Sequence, residues 1–589
     1  MTLGKILQRV SQQYPDKVSL ASFDRSITFG QLNEMVNKLA NGLLNLGLDK
    51  GDRVAVLLPK VPEVIISFLA VARAGGIIFP VNFKLKSHDL KSIFNYVSPA
   101  VVISEYGFAP LLEKHLLPQH PFAKIIYLGG KRGRKEGYYI DDIINDESDE
   151  MPDMRIKESD VVYLNYTSGT TGLPKGVMTT HANIIWNSVA AIDTFNLNHN
   201  DVHMSMFQVY AHPHELFARG LYLGGTSILV DSIFPKTVAR AVTEFKVTAL
   251  MAVPYLFKSL IPLAANKEYD FSSLGIIEAG GMHSSPELVN HFEERFNKRY
   301  LPVWGSTETT GIAVANRPHY DYRPGSIGKS CINYDVRVVN SQGEEVADDE
   351  EGEMVVKGPA VMQGYFNLPS ETESVLRNNW YYTGDIVQRD KDGFLYFLGR
   401  KTGMMKIGGM RVYPLEIVEA ISAHPSVDEV AVVAERDSMR GEKPIAFVTL
   451  KKGESLSSGE LKGFLRARLA DYKIPRTIEF IKELPKTASG KIIKGELEKR
   501  DHKDDIKEIS EEYFERLVDI DSKLVELLNE RADAILKLRK VLEPRKHSIF
   551  YPDYEECLLR RVLEENKGPI YDESLEDIFD KIRSVIRIL

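Results

Sequence analysis

The chain has 589 residues, of which 43% are hydrophobic and 26% charged, and a net charge of −8. That describes a multi-domain globular protein and gives no reason to expect nucleic acid or an anionic membrane as a partner. The two cysteines, Cys331 and Cys557, form neither a disulfide framework nor a metal pattern, which fits a reducing cytoplasm.

The start, Met1 to Ile6, lacks the apolar core of a secretion signal. The run Ala70 to Val81, apolar apart from Arg73, is too short and glycine-rich to span a membrane. From 1 to about 160, helical and strand patterns alternate. Leu32, Val36, Leu39, Ala40, Leu43 and Leu44 keep helical spacing, and Asp52 to Leu58 reads as a strand. The alternation predicts α/β layers around a largely parallel sheet. Lys131 to Lys135 reads as a solvated basic loop, or as an edge that meets a coenzyme phosphate.

Tyr166 to Val177 concentrates hydroxyls, glycines and Lys175 between an apolar run, Val161 to Leu164, and a helix start at His181. Glycines let backbone N–H groups approach an anion, and Thr167, Ser168, Thr170 and Thr171 add donors. The chemistry is that of a polyphosphate loop. It is not the Walker pattern, since Gly169 and Gly172 stand too close together and Pro174 precedes the lysine.

The α/β alternation resumes through the helix Pro235 to Phe245 and a strand that runs from Ile276 into Gly280-Gly281. Trp304-Gly305-Ser306-Thr307-Glu308 offers a flat aromatic, hydroxyls and a carboxylate suited to a base, a phosphate and Mg²⁺. Between about Pro324 and Arg400, short strands with Gly and Asp turns predict a small antiparallel barrel, within which Asp385 follows a tight turn. Arg400 to Gly403 leads into a compact α+β unit. That unit carries Lys406 to Arg411 and, late, Lys491 on a loop flanked by glycine. After the charged stretch Lys499 to Lys507, apolar residues every three or four positions from Ile509 to Val541 describe one long amphipathic helix, and two shorter helices follow.

Taken in this order, the five stretches resemble the successive motifs of the adenylate-forming acyl-CoA synthetase and aryl-acid ligase superfamily, over about 3 to 500. The resemblance implies an α/β N-terminal domain with a small β-barrel at 1–400, a small mobile α+β domain at 401–500, and Thr402 at the hinge between them. It implies ATP-binding by Thr167, Ser168, Gly169, Thr170, Thr171, Gly172 and Lys175, adenine between Trp304 and Gly280-Gly281, and ribose on Asp385 and Arg400. Thr307 would contact the α-phosphate, Glu308 would hold Mg²⁺, and Lys491 would bridge carboxylate and phosphate during adenylation. After the small domain rotates, Gly408 and Gly409 would help form a thiol tunnel for CoA or a carrier-protein phosphopantetheine.

The acyl pocket is expected at Phe207, Gln208, Tyr210 and His212, where the family's aromatic–histidine pair is replaced, so the acid is expected to be aromatic or compact. The tail, 506–589, resembles the all-helical, three-helix chorismate mutases over about 512 to 589. Arg531 and Glu555 match pocket residues there, whereas Phe514, Leu542, Tyr551 and Tyr554 stand where charged groups are expected. Two substrate carboxylates would be left short of cations. The expectation is a mutase-inactive dimerisation or regulatory module that makes the protein a homodimer. The alternatives are a ligase that loads a carrier protein, a bifunctional ligase–mutase, and a non-catalytic metabolite-binding protein. The retained Lys491 and Glu308 argue against the last.

Overall fold

The computed structural model describes the chain apart from 83–86, 117–122, 131–136, 168–174, 319–320, 408–409, 438–440, 487–491, 499–506, 543–551, 566–574, 576–577, 580 and 583–589. Side chains are also outside the description at 87–89, 115–116, 167, 437, 507–518, 539–542 and 552–557. Met1–Glu498 forms one compact unit and Lys499–Leu589 another.

Two parallel-rich sheets build the first part of the large unit. A seven-stranded sheet runs in the order Tyr138–Tyr139, Lys124–Leu128, Val101–Glu105, Arg53–Leu57, Ile77–Pro80, Val161–Thr167, Lys175–Thr180; only the last pairing is antiparallel. A nine-stranded sheet is parallel from Leu301–Ser306 through Ile276–Ala279, Ala249–Ala252, Val202–Ser205 and Thr226–Ile228 to Val18–Ala21, with antiparallel strands at both ends. The helices Leu3–Gln13, Phe29–Asn45 and Pro62–Ala74 contribute nearly half of the largest core. Their ends follow local chemistry. Thr28 and Gln31 form a reciprocal cap, and Gly75 stops its helix in the left-handed region at φ +84°. Arg73, the lone charge in its apolar run, is 1% exposed. It is held by the Gly4 carbonyl at 2.7 Å and the Asn33 side chain at 3.0 Å. Burial pushes its guanidinium down to about 10.

A five-stranded antiparallel sheet follows, built on Trp380–Arg389. That strand pairs with Glu351–Lys357, with Leu376–Arg377 and with Leu395–Arg400. The small α+β portion has its own five-stranded sheet, centred on the Val427–Asp437 and Gly441–Leu450 hairpin, and its own cores. It meets the rest through polar contacts: Lys258–Asp428 and His283–Glu419 at 2.8 Å, Lys401–Glu353 at 2.8 Å and Arg411–Glu351 at 3.2 Å. Thr402 lies in a short, exposed 3-10 turn, Lys401–Gly403, at this junction.

In the second unit a 36-residue helix spans Lys507–Leu542 and a second spans Pro552–Glu565; Leu575, Ile578, Phe579, Lys581 and Ile582 are helical as well. The apolar stripe of the long helix is exposed, with Ile520 at 50%, Leu524 at 51%, Leu527 at 61% and Leu538 at 40%. Among the described residues no helix is long and apolar enough to cross a membrane.

Candidate active site

The phosphate loop is held at its base as a hairpin, with Thr167 paired to Lys175. Sequence reasoning expected strand, loop, helix. A second strand, Lys175–Thr180, intervenes before the helix His181–Phe195, because Val177 to Thr180 favours extended backbone. Ser168, Gly169, Thr170, Thr171 and Gly172 lie outside the described residues.

The segment Met362 to Phe366 stitches this hairpin to the turn that carries Glu308. Phe366 N donates to the Gly176 carbonyl at 2.7 Å, Met178 N to Gly364 at 2.9 Å, and Met362 N to the Glu308 carbonyl at 2.8 Å. The Tyr365 hydroxyl donates to Glu308 Oε1 at 2.9 Å, and Lys175 Nζ stands 5.2 Å from the centre of the Tyr365 ring. Burial and the Glu308 charge push the Tyr365 phenol far up, so it stays a donor. Sequence reasoning missed Tyr365, which no motif marks. Thr307 sits in the turn, where its carbonyl accepts from Thr310 N at 3.1 Å.

Asp385, Arg400 and Trp304 converge on a second point. Trp304 Nε1 donates to Asp385 Oδ2 at 2.8 Å, and Arg400 Nε stands 2.7 Å from Oδ1. Burial raises the Asp385 carboxyl; Arg400 and Trp304 pull it back down. Trp304 is only 9% exposed, so the indole is a buried anchor for Asp385 as well as a neighbour of Gly305. Gly280 and Gly281 follow the Ile276–Ala279 strand, with Gly281 at φ +79°. A Cβ on Gly280 would lie 3.0 Å from Val303, and one on Gly281 3.6 Å from the Phe207 ring, so side chains here would fill the gap between these strands. Trp304→Phe keeps an aromatic ring and removes the N–H. A hydrogen bond to a buried carboxylate is worth about 1.5–3 kcal/mol, so the KM for ATP should rise about 10-fold or more. An unchanged KM would count against the anchoring role.

Beside the glycine pair lies a cavity of about 50 Å³ lined by Phe207, His212, Glu215, Met251, Val303 and Gly311, among others. Of the expected acyl-pocket residues, Phe207 and His212 line it; Gln208 and Tyr210 do not, and Tyr210 packs against the first core. Next to it an ion triad is buried: Arg219 lies 3.1 Å from Glu215 and 2.5 Å from Glu278. Burial opposes the Arg219 charge, but the two carboxylates outweigh it and hold the guanidinium above its ordinary value. Burial raises the Glu278 carboxyl. Sequence reasoning missed this triad, although one signal was present: Glu278 is the lone charge in the fully buried strand Ile276–Ala279.

Lys491, Gly408 and Gly409 lie outside the described residues. The flanks of Lys491 are placed: Lys486 and Ile492 pair as an antiparallel bridge, and Lys486 Nζ stands 5.6 Å from the centre of the Tyr255 ring. Arg531 is half-buried on the long helix; Glu555 is on the following helix, its side chain outside the description. Among the described residues no group of three or more His, Cys, Asp or Glu side chains gathers to hold a metal. A single carboxylate such as Glu308 suits Mg²⁺, which takes few protein ligands and completes its shell with phosphate and water.

Residues 7–366 match the AMP-binding enzyme family, 416–491 the AMP-binding enzyme C-terminal domain, and 514–588 chorismate mutase type II. The long-chain-fatty-acid–CoA ligase of Bacillus subtilis (strain 168) is 33% identical, over 84% of this chain and 94% of its own. The feruloyl-CoA synthase of an Amycolatopsis species is 32% identical, over 85% and 99%. Among solved structures, the anthranilate CoA ligase AuaEII with anthranoyl-AMP superposes with a TM-score of 0.77 at 27% identity, over 84% of this chain and 96% of that one. Fold and relatives together define an AMP-forming acid–thiol ligase of the acyl-CoA synthetase type. The chain belongs to the AMP-binding enzyme family and carries a chorismate mutase type II domain at its C-terminal end.

Proposed function

We propose that this ligase activates a compact, aromatic or otherwise polar carboxylic acid with ATP and Mg²⁺ and passes the acyl group to CoA. The observation that carries this reading is a pair of side-chain clusters, Lys175 and Glu308 gathered on Tyr365, and Asp385 and Arg400 gathered on Trp304, whose strand places Val303 against the glycine pair that borders the small cavity. Phosphates belong at the loop closed by Thr167 and Lys175, ribose at Asp385 and Arg400, adenine beside Gly280-Gly281 and the Trp304 strand, and acid at Phe207 and His212. Mg²⁺ at Glu308 would neutralise phosphate charge.

The carboxylate oxygen bonds to the α-phosphorus as the bond to the bridging β-oxygen breaks, and pyrophosphate leaves. Thr307 and Lys491 stabilise the charge that develops there. The thiol sulfur then bonds to the acyl carbon as the acyl–oxygen bond breaks; AMP leaves and the thiol proton passes to solvent. Acid-dependent exchange of pyrophosphate into ATP, across a panel of acids, tests the first step. No exchange with any acid would sink the reading. Thioester formation with CoA, compared with a phosphopantetheinyl carrier protein, identifies the acceptor.

The tail is read as a mutase-inactive dimerisation or regulatory module. Its support is the exposed stripe of Ile520, Leu524, Leu527 and Leu538, which a second copy would cover. Deleting the chain after residue 505 should turn a dimer into a monomer in sedimentation; a truncated chain that still sediments as a dimer refutes the module's role. Chorismate consumption by the full chain would overturn the inactive reading.

A further inference from the structure

The buried triad beside the acyl cavity leaves polar atoms of both kinds unmatched: Arg219 Nε and Nη2 and His214 Nε2 have no hydrogen-bond partner, and neither do two carboxylate oxygens. Side-chain exposure is 2% for Glu215, 7% for Arg219 and 1% for Glu278. Each carboxylate turns one oxygen to the guanidinium. The other two, Glu215 Oε1 and Glu278 Oε2, are enclosed and have no hydrogen-bond partner, as is His212 Nδ1. Leaving a buried acceptor unmatched costs about 1–3 kcal/mol, and more when it is charged. Such a group is completed by a buried water or by a bound ligand.

The two Glu215 oxygens differ in their surroundings. Oε2 faces Arg219. Oε1 lies 3.8 Å from His214 Nε2, beyond hydrogen-bond reach, and His214 is engaged by the Tyr163 hydroxyl at 2.8 Å through its other nitrogen. Glu215 and Gly311 both line the acyl cavity, and a Cβ at 311 would stand 2.7 Å from Oε1, so the glycine leaves that oxygen uncovered. The remaining wall, with Phe207, Met251, Val303 and Ile312, is largely apolar. An apolar slot whose unpartnered polar atoms include Glu215 Oε1 and His212 Nδ1 selects for shape and for a matching polar substituent. The cavity has a volume of roughly 50 Å³.

We propose that the acid activated here carries a hydrogen-bond-donating hydroxyl or amino substituent besides its carboxylate, and that Glu215 Oε1 accepts that donor. This rests on the ligase reading of the site. An alkyl acid, or an aromatic acid without a donor, leaves the carboxylate unmatched. Sites built around a substrate hydroxyl reject analogues lacking it far more strongly than apolar pockets reject a change of size.

The test is acid-dependent ATP–pyrophosphate exchange by the full-length protein. The panel is benzoate with its hydroxy, amino and methoxy counterparts at each ring position, and hexanoate with 6-hydroxyhexanoate. The best hydroxy or amino acid should exceed its unsubstituted and methoxy counterparts by about 100-fold or more in kcat/KM. Glu215→Gln should shrink that ratio about tenfold, because a neutral acceptor replaces a charged one. Equal or better exchange with donor-free acids overturns the proposal and leaves the ligase reading standing. So does an unchanged ratio in Glu215→Gln. Exchange with no acid overturns both. The wild-type ratio stands by itself if the variant fails to fold.

Discussion

Lys491→Ala is expected to lower acid-dependent pyrophosphate exchange roughly 100- to 1000-fold, the cost of removing one donor aimed at developing transition-state charge. Reaction of a supplied acyl-adenylate with thiol should stay within about threefold of wild type, since on the proposed reading the lysine acts on the phosphate of the first step only. The asymmetry follows from the chemistry: a carboxylate attacking an anionic phosphate needs a cation between the two, and a thiol attacking a mixed anhydride does not. Lys175 and Arg400 are already committed elsewhere, one beside Tyr365 and the other to Asp385. Single-turnover measurement of each half-reaction checks this. Equal loss in both would refute separate geometries for the two steps.

A second large effect is expected from acid. Burial pushes the imidazoles of His181, His203 and His212 down to about 4, and that of His214 to about 3. In the unfolded chain such rings bind a proton near pH 6.5. Between these values the unfolded state holds more protons, so stability is full above 6.5 and is lost as pH falls toward 4. By pH 5.5 each imidazole should have cost on the order of 1 kcal/mol, and the four together several. Burial raises Glu278 and Asp385, which act in the opposite sense but only near and above the ordinary carboxylate range. The thermal midpoint should therefore fall between pH 7.5 and 5.5, well before most surface carboxylates titrate. A flat midpoint over that interval would show that these rings stay solvated.

Local chemistry was readable from the sequence, and long-range pairing was not. Pro235–Phe245 is the helix expected, because proline opens it and its apolar face repeats at helical spacing. The strand Lys175–Thr180 was passed over because Gly176 and the preceding hydroxyl run dominate the composition there. Trp304, Asp385, Glu308 and Arg400 were identified as candidates one at a time. That the indole N–H would bind Asp385, 81 residues away, depends on sheet register and strand twist that no motif encodes. Tyr365 reaches Glu308 across 57 residues for the same reason. Glu215 lies three positions past the expected pocket residue His212, and its partnership with Arg219 and Glu278 appears only once the strand Ile276–Ala279 lies next to Val303 and Met251.

The seam between the small α+β portion and the rest is stitched by Lys258–Asp428, His283–Glu419, Lys401–Glu353 and Arg411–Glu351. Exposed pairs of this kind are each worth about 0–1 kcal/mol and weaken with salt. The cores on either side share no residue. Such a seam acts as a detent rather than a weld: its four pairs together hold one docking angle by at most about 4 kcal/mol, less than the binding free energy of a typical micromolar ligand. Raised ionic strength is therefore expected to loosen the seam, and a salt-dependent change in the ratio of the two half-reaction rates is the measurement that would show the small portion turning between them.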